Sequence, residues 1–241
     1  MALLAALVGV AALLYSSVGH GGGSGYLAAM ALFGLAPSVM KPSALAMNVL
    51  VALVVTIRFR RAGYFEGRLL WPFAIGSIPA AFVGGYLTLA PEVYRTVLGA
   101  LLLVAATRMA TKSSGRPDGE VRPPHFALGL LIGAAIGFAS GITGIGGGIF
   151  LSPIILLAGW AGLRQTAAVS APFILLNSLA GLAGVWTAVR HLPPFVPLLA
   201  VVAVAGGLVG SGLGARYLST RTLRLLLAIA LAIAGAKLVL T

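Results

Sequence analysis

Residues 19–25 read GHGGGSG and residues 141–148 read GITGIGGG, two charge-free glycine turns about half a chain apart in a sequence of 241 residues. Around them the chain is 60% hydrophobic and only 8% charged, with a mean hydropathy of +1.08. A water-soluble fold of this size has too little interior to hide that much apolar surface, so the composition reads as an integral membrane protein. The N-terminal stretch starts apolar, without a basic leader or a separate small-residue cleavage site, and reads as retained. Cysteine is absent, which removes disulfides, thiolate metal sites and persulfide chemistry.

Outward from the turns, ten apolar segments follow: 3–18, 24–36, 43–57, 69–90 and 94–110, then 126–140, 149–161, 167–189, 195–215 and 222–240. The one long polar stretch, TKSSGRPDGEVRPPH, divides them, so the organisation is a first transmembrane repeat over 1–110, a cytoplasmic linker over 111–124 and a second repeat over 125–241. Gly19, Gly21, Gly22 and Gly23 map onto Gly144, Gly146, Gly147 and Gly148 at a shift of 125, while Gly85, Leu89 and Arg95 map onto Gly214, Leu218 and Arg224 at 129. With five segments per copy the second must enter the membrane from the opposite side. The expected fold is therefore all-α, two inverted five-segment repeats.

Charge tests this independently. If every segment crosses, one side collects Arg58, Arg60, Arg61, Arg68, Arg108, Lys112, Arg116, Arg122, Arg164, Arg216, Arg221 and Arg224, and the other keeps Lys41, Arg95, Arg190 and Lys237. By the positive-inside rule the first side is cytoplasmic and both termini lie outside. Because the 16 basic residues fall between apolar runs, they report topology, and nucleic acid is not an expected partner.

Segments one, two, six and seven are the short ones, about 20 to 24 Å against a hydrocarbon core of roughly 30 Å. Paired short, glycine-interrupted segments are the sequence pointer to a transporter's substrate site near mid-membrane. Successive glycine N–H groups form an anion nest, and helices starting at Ser24 and Ile149 add their positive N-terminal ends. The expected substrate contacts are Ser17, Gly19, His20, Gly21, Gly22, Gly23 and Ser24 from the first copy and Thr143, Gly144, Gly146, Gly147 and Gly148 from the second. Asn48, Asn177 and Ser170 line the path from segments three and eight, or else serve as interhelical glue. The only acids, Glu66, Glu92, Asp118 and Glu120, lie in or beside loops. A cation pathway would place a carboxylate inside the membrane, so a small anionic or neutral substrate is favoured, with neither metal nor cofactor. His20, where the second copy has Ile145, is either a switchable charge for a proton-coupled anion or a neutral, structurally bonded histidine. His125 and His191 fall at segment edges, and Trp71, Trp160 and Trp186 read as interface anchors or packing.

The runs GITGIGGGIFLSPIILL and RQTAAVSAPFILLNSLAGL, with the partial first copy YSSVGHGGGSGYLAAMALFGL, resemble the TauE/SafE sulfite exporter family over essentially the whole chain. The resemblance implies a permease of a bacterial or archaeal cytoplasmic membrane that moves sulfite, sulfoacetate or related organosulfonates. Gly144, Gly146, Gly147, Gly148 and Pro153 carry over directly, whereas the first copy departs at His20, Ser24 and Gly25. Three rival readings stand beside it. A passive anion channel and an accessory membrane subunit share the composition, and GGSG at 22–25 matches the G-x-S-G of rhomboid-like intramembrane serine proteases, with Ser24 as nucleophile. Besides the substrate and the lipid bilayer, the partners left open are further copies of the chain in a homo-oligomer.

Overall fold

The computed structural model describes residues 1–110, 120–189 and 192–214, with separate positions between 228 and 240. The expectations resting on most of the linker and of the tenth segment, and on Lys112, Arg116, Asp118, Arg190, His191, Arg216, Leu218, Arg221, Arg224 and Lys237, lie outside those residues. Among the described residues every regular element is helical: α1 Ala2–Ser17, α2 Gly23–Leu32, α3 Pro37–Arg61, α4 Gly67–Tyr86, α5 Pro91–Ala110, α6 Phe126–Thr143, α7 Gly148–Leu157, α8 Leu163–Gly184, α9 Trp186–Val189 and α10 Val196–Gly214. Five of them, α3, α4, α6, α8 and α10, are long and apolar enough to cross a membrane. Large side chains such as Leu131, Val201 and Trp71 stand exposed on their outer faces, as a lipid-facing surface requires. The chain is an all-helical, multi-pass membrane protein.

Helix boundaries follow local chemistry. Proline at the first helical position, where its missing N–H costs nothing, starts α3 at Pro37, after an extended Ala36. The helix then runs through Pro42 and closes on Arg58, Arg60 and Arg61, cations that suit a C-terminus. Segments two and seven were expected to run to 36 and 161; they stop at Leu32 and Leu157, because Gly34 and Gly159 take left-handed φ angles of 70° and 65°. The expectation that segment six is short is corrected. α6 has 18 residues, about 27 Å, and passes through Gly141 to Thr143 because that glycine packs rather than breaks the helix.

The packing of α6 shows how. The Cβ positions of Gly133, Gly137 and Gly141 point straight onto the backbone carbonyls of Phe73, Ser77 and Ala81 in α4, and those of Gly76 and Gly84 onto Leu130 and Phe138 in return. Any side chain there would push the two backbones apart. α1 meets α10 in the same manner, with Gly206 and Gly210 against the carbonyls of Gly9 and Leu13. α8 packs on α3 and α4, and α10 on α3. The polar side chains turn inward: Ser16, His20, Ser24, Lys41, Ser43, Asn48, Ser140, Ser152, Ser170, Asn177 and Ser178 are all buried between helices.

Candidate functional site

Both glycine turns fold in the same local manner. In the first, α1 ends at Ser17, Gly19 takes φ 84° and Gly22, at φ 104°, caps α2. In the second, Gly144 at φ 84° caps the end of α6, and Gly146 and Gly147, at 91° and 81°, lead into α7. These φ values lie in the left-handed region that side chains with a Cβ avoid. The helices start at Gly23 and Gly148, one residue before Ser24 and Ile149. Among the described residues, the N–H groups of Gly21, Gly22 and Gly23 and of Ile145, Gly146, Gly147 and Gly148 donate to no backbone carbonyl, which leaves two clusters of orphan donors at helix N-termini.

The clusters meet on two side chains. A Cβ on Gly21 would stand 2.9 Å from Asn48 Oδ1 and 3.0 Å from Ile174 Cγ2, and one on Gly146 would stand 2.8 Å from Asn48 Nδ2 and 3.0 Å from the same Ile174 methyl. Asn48 Nδ2 donates to the Ile145 carbonyl at 3.2 Å, and Gly23 closes on the same pair. Thus α3 offers an amide and α8 a methyl where the two turns approach. His20 ties them again: Nε2 lies 3.2 Å from the Gly148 carbonyl oxygen and 2.9 Å from Ser152 Oγ, which lies 2.7 Å from Ser170 Oγ. Its Nδ1 lies 3.2 Å from the Val18 oxygen.

Other expected contacts point elsewhere. Ser17 and Thr143 hydroxyls donate back to Leu14 and Ala139 of their own helices, at 2.7 Å each. Ser24 Oγ donates to the Tyr15 hydroxyl at 2.8 Å, so the hydroxyl–imidazole pair of the protease reading is not formed between Ser24 and His20. Asn177 Nδ2 donates to Ser77 Oγ at 3.1 Å and to Phe173 O at 2.8 Å, which places it in the α4–α8 contact. Gly19 lies against Ala167 of α8 and Gly144 against Lys41 of α3, at the rims. Gly22 fits over the Tyr26 ring, whose hydroxyl donates to Gly21 O at 2.6 Å, and Gly147 fits between Ile136 and Phe173.

Several residues at the meeting point were not among the expected contacts. Ile174 and Ser178 share one stripe of α8 with Ser170 and Gly181, a spacing of three and four legible in the sequence. Ser152 follows the second turn by four residues, on α7. Lys41 read only as a topological charge; it is buried, donates to the carbonyls of Gly84, Gly85 and Leu87 at 3.1, 2.8 and 3.0 Å, and lines a cavity of about 230 Å³ with Pro42, Leu89, Tyr94 and Ile142. That cavity borders the second turn, because Tyr94 donates to Thr143 O at 2.8 Å.

Polar atoms remain available to a guest. Asn48 Oδ1, Ser178 Oγ and Ser140 Oγ are buried without a hydrogen-bond partner, and all three flank the turns. An unpaired buried group of this kind costs about 1–3 kcal/mol, which a bound polar molecule recovers. Among the described residues no cluster of three histidines or acids converges, and no carboxylate reaches the turns.

The family model described as sulfite exporter TauE/SafE matches residues 3–238. The probable membrane transporter protein y4hK of Sinorhizobium fredii is 43% identical over 233 residues, 95% of this chain and 94% of its own. The probable membrane transporter protein YjnA of Bacillus subtilis is 27% identical over 245 residues, 94% of each chain. No solved structure matches.

Proposed function

The chain belongs to the sulfite exporter TauE/SafE family and is a membrane transporter, and from that premise we propose that it is a permease for small sulfur-containing anions, sulfite or an organosulfonate. The observation that carries the reading is the convergence of the two left-handed glycine turns on Asn48, with the N–H groups of Gly21, Gly22 and Gly23 and of Ile145, Gly146, Gly147 and Gly148 unpaired. A sulfonate or sulfite group presents three oxygens on one atom, and two opposed rows of amide donors suit that shape. The amides replace water without a full positive charge that would trap the ligand. The unpaired hydroxyls of Ser140 and Ser178, and the second Nδ2 hydrogen of Asn48, supply the side-chain hydrogen bonds that separate an oxyanion from a halide.

Alternating access follows from an inverted repeat, and the packing supports one. α1 lies on α10 as α6 lies on α4, α10 lies on α3 as α4 lies on α8, and Gly19 meets Ala167 as Gly144 meets Lys41, 126 residues earlier in the chain. In this reading the two bundles rock about the paired turns, with the Ile174 side chain, which lies against Gly21 and Gly146, as the part that must move. The cluster of Arg58, Arg60, Arg61, Arg68, Arg122 and Arg164 at one end of the bundle supports the orientation with that end cytoplasmic. An inside-negative potential contributes about 2.3 kcal/mol per 100 mV for each net negative charge that leaves, which favours export.

The test is initial-rate uptake of sulfite, sulfate and small sulfonates into proteoliposomes. Saturable flux selective for a sulfur anion supports the permease. Flux that never saturates supports the channel, and absence of any sulfur-anion flux overturns the substrate.

A further inference from the structure

His20 is placed where its ring has two mutually exclusive hydrogen-bond patterns. Nδ1 faces the Val18 carbonyl; Nε2 faces both the Gly148 carbonyl and the Ser152 hydroxyl. A neutral ring protonated on Nδ1 donates to Val18 and accepts at Nε2 from Ser152, which in turn accepts from Ser170. In that state the Gly148 oxygen and the Nε2 lone pair confront one another at 3.2 Å with no proton between them. A ring protonated on both nitrogens resolves the conflict: Nε2–H donates to Gly148 O, and the Ser152 hydroxyl reverses to donate to Ser170. In both states Ser152 and Ser170 stay hydrogen-bonded to each other, and the states differ by one positive charge next to α7's first residue.

The surroundings isolate this charge. α1 presents Tyr15 edge-on, ring centroids 6.4 Å apart, and α2 presents Tyr26, whose hydroxyl is held by Gly21 O. α3 brings Asn48, α7 Ser152 and α8 Ser170, none of which ionises; Lys41 lies against Gly144 instead. Among the described residues no carboxylate stands here to neutralise a protonated His20, and the ligand that can do so is the anion in the turns.

We propose that His20, Ser152 and Ser170 form a proton-binding site that couples proton transport to anion transport, the imidazolium and the anion occupying the paired turns together. This rests on the permease reading and adds a second transported species to it. In the coupling step a hydronium ion on the open side gives its proton to Nε2 and leaves as water; the N–H bond forms, the two serine hydroxyls rotate, and each keeps its own hydrogen. Return of the proton to water on the opposite side reverses the sequence after the anion has left. A monoanionic sulfonate then crosses with no net charge, whereas a dianion crosses with one negative charge and still responds to the potential.

Methanesulfonate, which stays ionised throughout the useful pH range, is the probe. In wild-type proteoliposomes with the potential clamped, each unit of imposed pH gradient is expected to drive about tenfold accumulation, because one pH unit is 1.36 kcal/mol per proton. A pH-sensitive dye should report one proton per methanesulfonate. In His20→Gln, gradient-driven accumulation should collapse to equality whatever rate of exchange remains. Ser152→Ala removes only the rotating hydroxyl, and its accumulation ratio should also fall. If wild type transports methanesulfonate with no proton movement and no response to the gradient, the coupling is overturned and the permease stands; if no sulfur anion moves, both fall. A measurement independent of flux uses protein with ¹⁵N-labelled histidine. Saturating methanesulfonate should shift one ring toward imidazolium, a change missing in His20→Gln, and a ring that stays neutral overturns the proposal.

Discussion

The two glycine turns share a backbone and divide their chemistry. Gly19 and Gly144 have the same φ of 84°, and the glycines before α2 and α7 are both left-handed. Yet the first turn holds His20 inside it and the small Ala167 at its rim, whereas the second holds Ile145 inside and the buried Lys41 at its rim. Each turn therefore has one basic side chain beside it. Lys41 is locked by three carbonyls at the end of α4, while His20 has an alternative set of partners. The pair teaches that a duplicated glycine turn can hold one basic side chain locked on carbonyls and give the other a choice of partners.

The strongest way to break the comparison is a side chain in each nest. Gly22→Val and Gly147→Val both impose a left-handed valine, about 1–2 kcal/mol of backbone strain before any contact. Both should abolish anion flux. They should differ in assembly: a Cβ on Gly22 would stand 2.5 Å from the Tyr26 hydroxyl, whereas on Gly147 it meets Ile136 and Phe173 at 3.0 Å. Size-exclusion yield in detergent should fall further for Gly22→Val, and normal flux in both variants would remove the nests from the mechanism.

Asn48 and Asn177 sharpen it next. One lies on α3 and the other on α8, and only Asn48 touches the turns. Loss of the Asn48 hydrogen bonds, at about 1.5–3 kcal/mol when a charged ligand is involved, should lower kcat/KM by at least about tenfold in Asn48→Ala. Asn177→Ala should instead lower thermal stability with KM retained. Equal kinetic losses would mean that both amides contact substrate.

Lys41→Met keeps the stem and removes the fixed charge. Loss of its bonds frees two carbonyls of α4 and that of Leu87 just beyond it, and the positive potential beside Gly144 disappears. KM for the anion should rise several-fold, with a smaller change in kcat; an unchanged KM would make Lys41 a helix cap and nothing more. The smallest effect is expected for Ser24→Ala, which loses one hydrogen bond to Tyr15, about 1 kcal/mol, and should leave flux within a few-fold of wild type. Complete loss there would favour the hydrolase reading.

Much of the molecule was legible because membrane insertion depends on composition and the left-handed turn depends on residue type. Sixty per cent hydrophobic residues and 8% charge demand a membrane protein, and runs of glycine allow the turns that the structure has. Helix ends were harder. Gly141 reads as a breaker and serves as a contact surface for Ala81, while Gly34, which reads as part of a segment, ends α2; the difference lies in whether a neighbouring backbone approaches. Ser17, Ser24 and Thr143 stand beside the glycines in sequence, yet their hydroxyls bond to α1 and α6, since a helix carries successive side chains about 100° apart around its axis.

The sequence by itself determined that the chain is apolar enough to live in a bilayer, that it contains two glycine turns, and that no cysteine and few acids are available to them, because these are properties of residue type and order. Only the tertiary structure decided which side chains complete the turns. Asn48 comes from α3, Ile174 and Ser178 from α8, and Ser152, only four residues past Gly148, reaches His20 of the other turn, while Lys41 was readable as a charge but not as a neighbour of Gly144. Those contacts depend on how α3 and α8 pack beside the turns, which joins residues far apart in the chain and which no local pattern records.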